Sequence, residues 1–549
     1  MRNRLREHWP GLLAVAVVLA ANLIDLAPDV TWINTDADGP HYVYSAKYLM
    51  PAHKTSAPLF LLLGHVFLWI PYGTEFWRMG LMSVIATAIT AWYVYLLTRH
   101  YAPERGRSMG AIAAFCYGTS ALVLSQGTIV ETYALVTMFG VAGWYYALKG
   151  RWGLTAAMFG AGGAVHHLIA FPLIAALVAF RPFRQWRYIL TMAGFLMFYL
   201  YLPVTNRPPY MWHQPNASLA GDFLADNGST LAMLGGGLSI WDLPKRLLDA
   251  GGLVLLSMPW IVAAIWTFRQ HRALMWLTVL PIVYYVSNLA PQTYVYVIAA
   301  VPFATVAAFA ALAHHWRFVK RYMLTALVVF SGMTVWAGDI GRTLDPEMSA
   351  VKFRQELDRI PDGDILLAQQ GWEWAIVFPY NADKGRNITS ICVGTLPSAP
   401  YRRDNLDARG IRYEVPVTDR IDTSTEIAQS IVRLNGRVWT TMPTMPRTYG
   451  ATVIPARGNE WVFGEPTRPV SITDGSRDMQ WQWRPSHPYD IITGAVEVTD
   501  WTYITFSNYS VMFFVMLAVV AYAPVWFYQR ALYAYRKRKG VKHEPIGTV

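Results

Sequence analysis

Cysteine is nearly missing from this 549-residue sequence: Cys116 lies in an apolar run, Cys392 in a polar region, and there are no others. Two such residues build neither a disulfide framework nor a CxxC zinc pattern. Also missing are a Walker loop and a GxGxxG turn opening a helix, the glycine-rich devices that cradle nucleotide phosphates. No internal repeat or low-complexity tract is found. Lysine and arginine are absent from several gaps between apolar runs, among them SQGT at 125–128 and SNLAPQT at 287–293.

Apolar mass is abundant: 54% of residues are hydrophobic, with 23 Trp and 31 Tyr, and the mean hydropathy is +0.26. Uncharged runs of about 20 residues mark transmembrane helices. They occur near 9–27, 77–97, 109–127, 129–148, 188–204, 247–268, 274–288, 291–313, 322–337 and 511–529, so the chain reads as a polytopic α-helical membrane protein. The net charge of +11 is concentrated in short gaps: Arg2, Arg4 and Arg6; Arg99, Arg105 and Arg107; Lys149 and Arg151; Arg181, Arg184 and Arg187; Arg269 and Arg272; Arg317, Lys320 and Arg321; Arg536 to Lys539. This is the positive-inside pattern, which assigns these gaps to the cytoplasm and makes the charge a matter of topology rather than nucleic-acid binding.

The first run has a basic start but no small-residue cleavage site, so it reads as a retained helix. It delivers NTDADGPHY (34–42) to the outer face, and residues 28–76 are external because 99–107 is cytoplasmic. Within that loop APLFLLLGHVFLWIPYG (57–73) is too short to cross and reads as a juxtamembrane helix. Residues 153–180 have basic flanks on both sides, and roughly 28 residues cannot cross twice at full length. Two short helices broken at GAGGAVHH resolve this, since broken helices are tolerated where they line a cavity. The count is then about twelve spans. Residues 338–504 turn polar, with strand-like DILLAQ, ITSICVG, IRYEVPV and RVWTTM between helical VKFRQELDRI and TEIAQSIVRL, which predicts a small extracytoplasmic α/β domain. The division is 1–337, a membrane domain; 338–504, the α/β domain; and 505–549, a last helix with a basic cytoplasmic tail.

Several polar residues stand at the outer boundary. Asp36 and Asp38 could act as a general base or hold a cation; the ordinary alternative is a solvated loop or a helix cap. Glu131 sits within an otherwise apolar hairpin, where a carboxylate faces a functional cavity or is simply interfacial. His166 and His167 fall in the break between the two short helices; neighbours on a helix point apart, which argues against joint metal ligation. Lys54, Arg78, Arg207, Lys245 and Arg246 are cations on a face otherwise depleted of them, suited to phosphate or to snorkelling.

Taken in order, these stretches resemble the DUF2723 family of GT-C membrane glycosyltransferases, which includes protein O-mannosyltransferases of the transmembrane-protein-260 type. Asp38 is followed at the family's distance by HKTSAPL, matching an HPPGYPL-like segment at His53, Pro58 and Leu59. WRMGLMS from Trp77 is similar to W-R-x-N-x-x-S, and SQGTIVETYAL to S-Q-A-x-x-x-E-V-Y-x-L, the most specific match. GAVHHLIAFPL and YLPVTNRPPYMWHQP have looser counterparts, and GDILLAQQGWEWAIVFPY matches only in its first half. The chain departs from the family at His41, where a Glu is usual, and at Lys54-Thr55, where prolines are usual.

The resemblance implies a GT-C fold and an inverting sugar transfer from a polyprenyl-phosphate donor to a protein or glycan acceptor on the extracytoplasmic face. Asp38 would be the base, with Asp36, Glu131 and His41 placing the acceptor or a divalent cation, whose requirement stays open. Arg78 or Arg207 would hold the phosphate, with Lys54, His53 and His166 as further substrate-binding candidates. A multi-pass protein of the plasma (inner) membrane is implied if the source is prokaryotic. A transporter or flippase of lipid-linked glycans is the alternative, although no symmetry between halves is seen; a non-catalytic GT-C scaffold is a third reading.

Overall fold

The computed structural model describes residues 2–31, 38–50, 57–200, 257–287, 293–315, 351–368 and 371–392, with isolated residues or short runs at 52, within 247–254 and within 406–461. Two long apolar helices frame the membrane part: α1 (Arg2–Ile24) and α4 (Glu75–Tyr101). The local chemistry of α4 explains its limits. The Thr74 hydroxyl accepts a hydrogen bond from the Trp77 amide at 3.2 Å, Glu75 stands in the first turn, and Arg99 and His100 stand in the last. Each charge therefore complements the helix dipole. Between them lie α2 (Asp38–Tyr48) and α3 (Pro58–Phe67), the latter within the segment predicted as a short juxtamembrane helix.

The run at 109–127 folds as α5 (Gly106–Gly118) and α6 (Ala121–Gly127), bent by 60°. The expected break in 153–180 is present: α8 (Trp152–Gly163) gives way to a 3-10 turn (His167–Ile169) and α9 (Ala170–Ala179). Before it stands α7 (Tyr133–Leu148); after it come α10 (Trp186–Phe195), α11 (Ile261–Gln270), α12 (Arg272–Ser287) and α13 (Val301–His314). Among the described residues two helices are long and apolar enough to cross a membrane, and a third span results if α5 and α6 are one bent crossing. The runs at 322–337 and 511–529 lie outside the described residues.

Basic residues meet at one end of the bundle. Arg99 bonds Glu7 at 2.7 Å, and Arg107 donates to the Arg6 carbonyl at 2.7 Å, so the start of α1 meets the end of α4. A cavity of about 380 Å³ lined by His100, Leu148, Ala179 and His271 gathers the ends of α7, α9 and α11 beside that of α4. At mid-bundle α5 crosses α1 at Gly118, where a methyl group would fall 2.3 Å from Val18 Cγ1. Glycine leaves room there for the Val18 side chain against the α5 backbone, and both residues are buried. Gly118→Ala is expected to cost about 1–3 kcal/mol through overpacking. Thermal unfolding in detergent checks this, and an unchanged midpoint would show that the crossing has slack.

An α/β unit follows. A parallel sheet of order β2-β1-β3-β4 is formed by β1 (Ile365–Ala368), β2 (Thr389–Cys392), β3 (Val438–Thr440) and β4 (Thr452–Val453), with Ile365 opposite both Thr389 and Val438. Helix α14 (Val351–Glu356) precedes β1, and α15 (Gly371–Lys384) connects β1 to β2. DILLAQ, ITSICVG and RVWTTM thus supply strands. IRYEVPV does not in its described part, 411–414. Asn381 braces the entry to β2 by donating to the Ile388 carbonyl at 2.7 Å while accepting from its amide at 3.2 Å.

The α/β unit is ionically tied to the first loop. Lys47 Nζ lies 2.6 Å from Asp383 Oδ1 on α15 and 2.7 Å from Glu75 Oε1 on α4, and the Tyr48 hydroxyl donates to Asp383 at 3.1 Å. Arg354 on α14 grips Asp29 through both guanidinium arms, at 2.8 and 3.2 Å. Burial pulls the Lys47 ammonium down, but Asp383 and Glu75 outweigh it and hold it above the ordinary lysine range. A raised lysine contributes stability that is complete below its unfolded pKa and lost only as pH rises through the folded value. The tie therefore keeps its cation at any neutral pH. Partly exposed pairs of this kind are worth about 0–1 kcal/mol each. Just beyond α2, Leu49 adopts φ of 51°, a left-handed conformation that costs a side-chain-bearing residue about 1–2 kcal/mol.

Candidate active site

One region of the bundle brings together the beginnings of α2 and α3, the α6–α7 connection, and the α8–α9 break. Asp38 opens α2, and the first turn of a helix is where a carboxylate is electrostatically favoured. The next residue, Gly39, abuts Val130: a methyl group added there would lie 3.6 Å from the Val130 carbonyl oxygen. Asp38 and Glu131 are the chain neighbours of these two residues. His41, one turn along α2, is buried.

Glu131 is 4% exposed. Its Oε2 accepts from the Thr132 amide at 3.2 Å, and its carbonyl accepts from the Ser83 hydroxyl at 3.2 Å. The sequence reading set Glu131 inside a helix beginning at 129, but α7 begins only at Tyr133. Residues 128–132 run without helix, and part of their backbone is held from outside: the Thr128 carbonyl accepts from the Ala27 amide at 2.9 Å. The Thr128 hydroxyl lies 2.9 Å from the Leu124 carbonyl and 3.3 Å from Asp25 Oδ2. Asp25, 2% exposed, is a second buried carboxylate that sequence reasoning passed over. Its signal was the same as that of Glu131, a carboxylate at the end of an apolar run.

The histidine pair corrects a premise. His166 is extended (φ −161°, ψ 148°) rather than helical, so neighbouring side chains need not diverge; the His166 and His167 rings lie 4.1 Å apart at 31°. His166 Nδ1 accepts from the Leu168 amide at 3.2 Å, which puts the proton of the neutral ring on Nε2. Tyr133, two residues after Glu131, stands 5.3 Å from the His166 ring, and Tyr296 stands 5.8 Å from it and 5.3 Å from His167. The Leu59 amide donates to the Ala164 carbonyl at 3.0 Å and fastens α3 to this break. Imidazole and phenol rings are thus gathered at this break, one of them on Tyr133, two residues along the chain from Glu131. Among the described residues no group of three or more His, Cys, Asp and Glu is gathered as a metal would need.

Arg78 lies in the first turn of α4. Its Nε donates to the Gly73 and Tyr72 carbonyls at 3.1 and 3.2 Å, Nη1 to Leu68 at 2.8 Å and Nη2 to Gly73 at 2.9 Å. The guanidinium closes the α3–α4 loop. Arg78→Ala is expected to cost about 1–3 kcal/mol in stability, with partial recovery in Arg78→Lys; thermal unfolding in detergent is the measurement, and no shift would leave the loop held by other means. Asp36, His53, Lys54 and Arg207 lie outside the described residues.

The arrangement is a bundle of helices with two short helices, α2 and α3, inserted between its two long ones. The fold is similar to the crystal structure of ArnT from Cupriavidus metallidurans bound to undecaprenyl phosphate, with a TM-score of 0.50 and 13% identity, covering 74% of this chain and 96% of that one. The apo form of that protein gives 0.46 at 12% identity with the same coverage, and an Archaeoglobus fulgidus oligosaccharyltransferase tethered with an acceptor peptide gives 0.40 at 12%, covering 74% and 69%. At such identity only the fold is compared, and the two lower scores add nothing to it. No curated protein matches the chain. Residues 38–187 match the protein O-mannosyl-transferase TMEM260 N-terminal domain. The match opens on Asp38.

Proposed function

We propose that the chain is an inverting glycosyltransferase that moves a sugar from a polyprenyl-phosphate donor to a protein or glycan acceptor on the extracytoplasmic side of a plasma (inner) membrane. The observation that carries the reading is the seating of the first turn of α2 against Val130, beside buried Glu131, in the segment of family match. In this reading Asp38 takes the proton from an acceptor hydroxyl, whose oxygen attacks the anomeric carbon. The bond from that carbon to the phosphate oxygen breaks, and polyprenyl phosphate leaves with both electrons. An enzyme on that side lacks cytoplasmic nucleotide sugars, so a lipid carries its donor. The undecaprenyl phosphate bound by the ArnT neighbour is of that chemical kind.

Glu131 orients the acceptor, and His41 and His166 line the approach. The phosphate falls to Arg207 or Lys54, because the guanidinium of Arg78 is committed to its loop. The outer α/β domain and a total near twelve spans belong to the same proposal. The test is transfer by the purified full chain from polyprenyl-phosphate sugars, with product stereochemistry read by NMR. Inversion at the anomeric carbon is expected. Movement of lipid-linked glycan across liposomes without any transfer would replace this reading with a flippase.

A further inference from the structure

We propose that the α/β unit positions α2, and that Asp383 and Lys47 are the positioning residues through which it does so. The catalytic consequence rests on the sugar-transfer reading above; the mechanical part does not. Helix α2 has Asp38 at one end and Lys47 and Tyr48 at the other, a rigid lever of 11 residues. Its far end is gripped. The Lys47 ammonium touches Glu75 at the start of α4 and Asp383 in the last turn of α15, and Tyr48 touches the same Asp383 oxygen.

The choice of residues is informative. A carboxylate at a helix C-terminus opposes the dipole, so Asp383 is poorly placed for α15 by itself and well placed only for what it binds. Glu75, opening α4, is favourable where it stands, so the membrane bundle offers Lys47 a fixed partner and the α/β unit offers a second. The α14 helix also reaches the residues just after α1, because Arg354 grips Asp29 through both arms and Asp29 Oδ1 accepts from the Val30 amide at 2.7 Å.

A third sign is Leu49. A leucine in the left-handed region persists only where its surroundings over-determine it. Here the Met50 amide donates back to the Ser45 carbonyl at 2.9 Å, closing α2 just after the gripped residues. Exposed pairs add little stability. What they fix is the direction of the lever, and hence the chain position of Asp38.

Asp383→Ala, Asp383→Asn and Asp383→Glu in the full chain test this. Asp383→Ala and Asp383→Asn should leave folded yield and the KM for donor unchanged, lower kcat roughly 10- to 100-fold through misplacement, and speed hydrogen exchange in 38–48 but not in α4. Asp383→Glu should restore most of kcat. Unchanged exchange in 38–48 overturns the grip, and faster exchange with unchanged kcat overturns its positioning role. Faster exchange in a protein whose parent transfers no sugar upholds the grip and removes the sugar-transfer reading instead.

Discussion

Asp38→Asn is expected to lower sugar transfer roughly 10²-fold or more, the usual scale on which a general base acts. The amide keeps the size and most of the hydrogen-bonding capacity of the carboxylate but cannot take the acceptor proton. Folded yield and donor binding should therefore stay as they are, and the loss should fall on kcat. The chain position supports the assignment: Asp38 opens α2, and the following glycine lies against Val130. Asp36→Asn is the internal control and should be milder. Single-turnover transfer with saturating lipid donor measures both, and undiminished turnover in Asp38→Asn would take this residue out of the mechanism.

The second large effect concerns the leaving group. As the glycosidic bond breaks, negative charge grows on the phosphate, and a cation fixed there stabilises the transition state more than the bound donor. Arg207→Ala or Lys54→Ala, whichever holds that oxygen, should lower kcat/KM for the lipid donor by roughly 10²–10³. Arg207→Lys should recover part of the loss, because a point charge replaces a two-pronged contact. Arg78→Ala serves as the contrast, with its loss in stability. If both Arg207→Ala and Lys54→Ala keep full kcat/KM, the phosphate is held by other groups.

Much of the architecture was legible because hydropathy and charge act along the chain. The break near GAGGAVHH followed from two basic flanks too close together, and the polar strands from alternation bounded by turns. The candidate site was legible in part. Glu131 stood out as a carboxylate in an apolar hairpin and is buried. Its helix boundary was misplaced, because apolar character does not reveal that Ala27 and Ser83 catch the backbone of 128–132. The stacking of His166 on His167 was hidden for a related reason, since it depends on an extended residue at the break. Arg78 was assigned from the scarcity of cations on its face. Its carbonyl partners, five to ten residues back along the chain, are a matter of loop shape that composition does not encode.

The unwound connection before α7 also bears on biosynthesis. The groups from beyond the hairpin that catch it, the Ala27 amide, Asp25 and the Ser83 hydroxyl, come from α1, its tail and α4. The ribosome makes all of them before Thr128. When this stretch enters the bilayer its carbonyls find donors already in place, so it need not wait for the rest of the chain to escape an unsatisfied backbone in lipid. At this point the order of synthesis and the order of assembly coincide, and the acid group enters a seat that its predecessors have laid out.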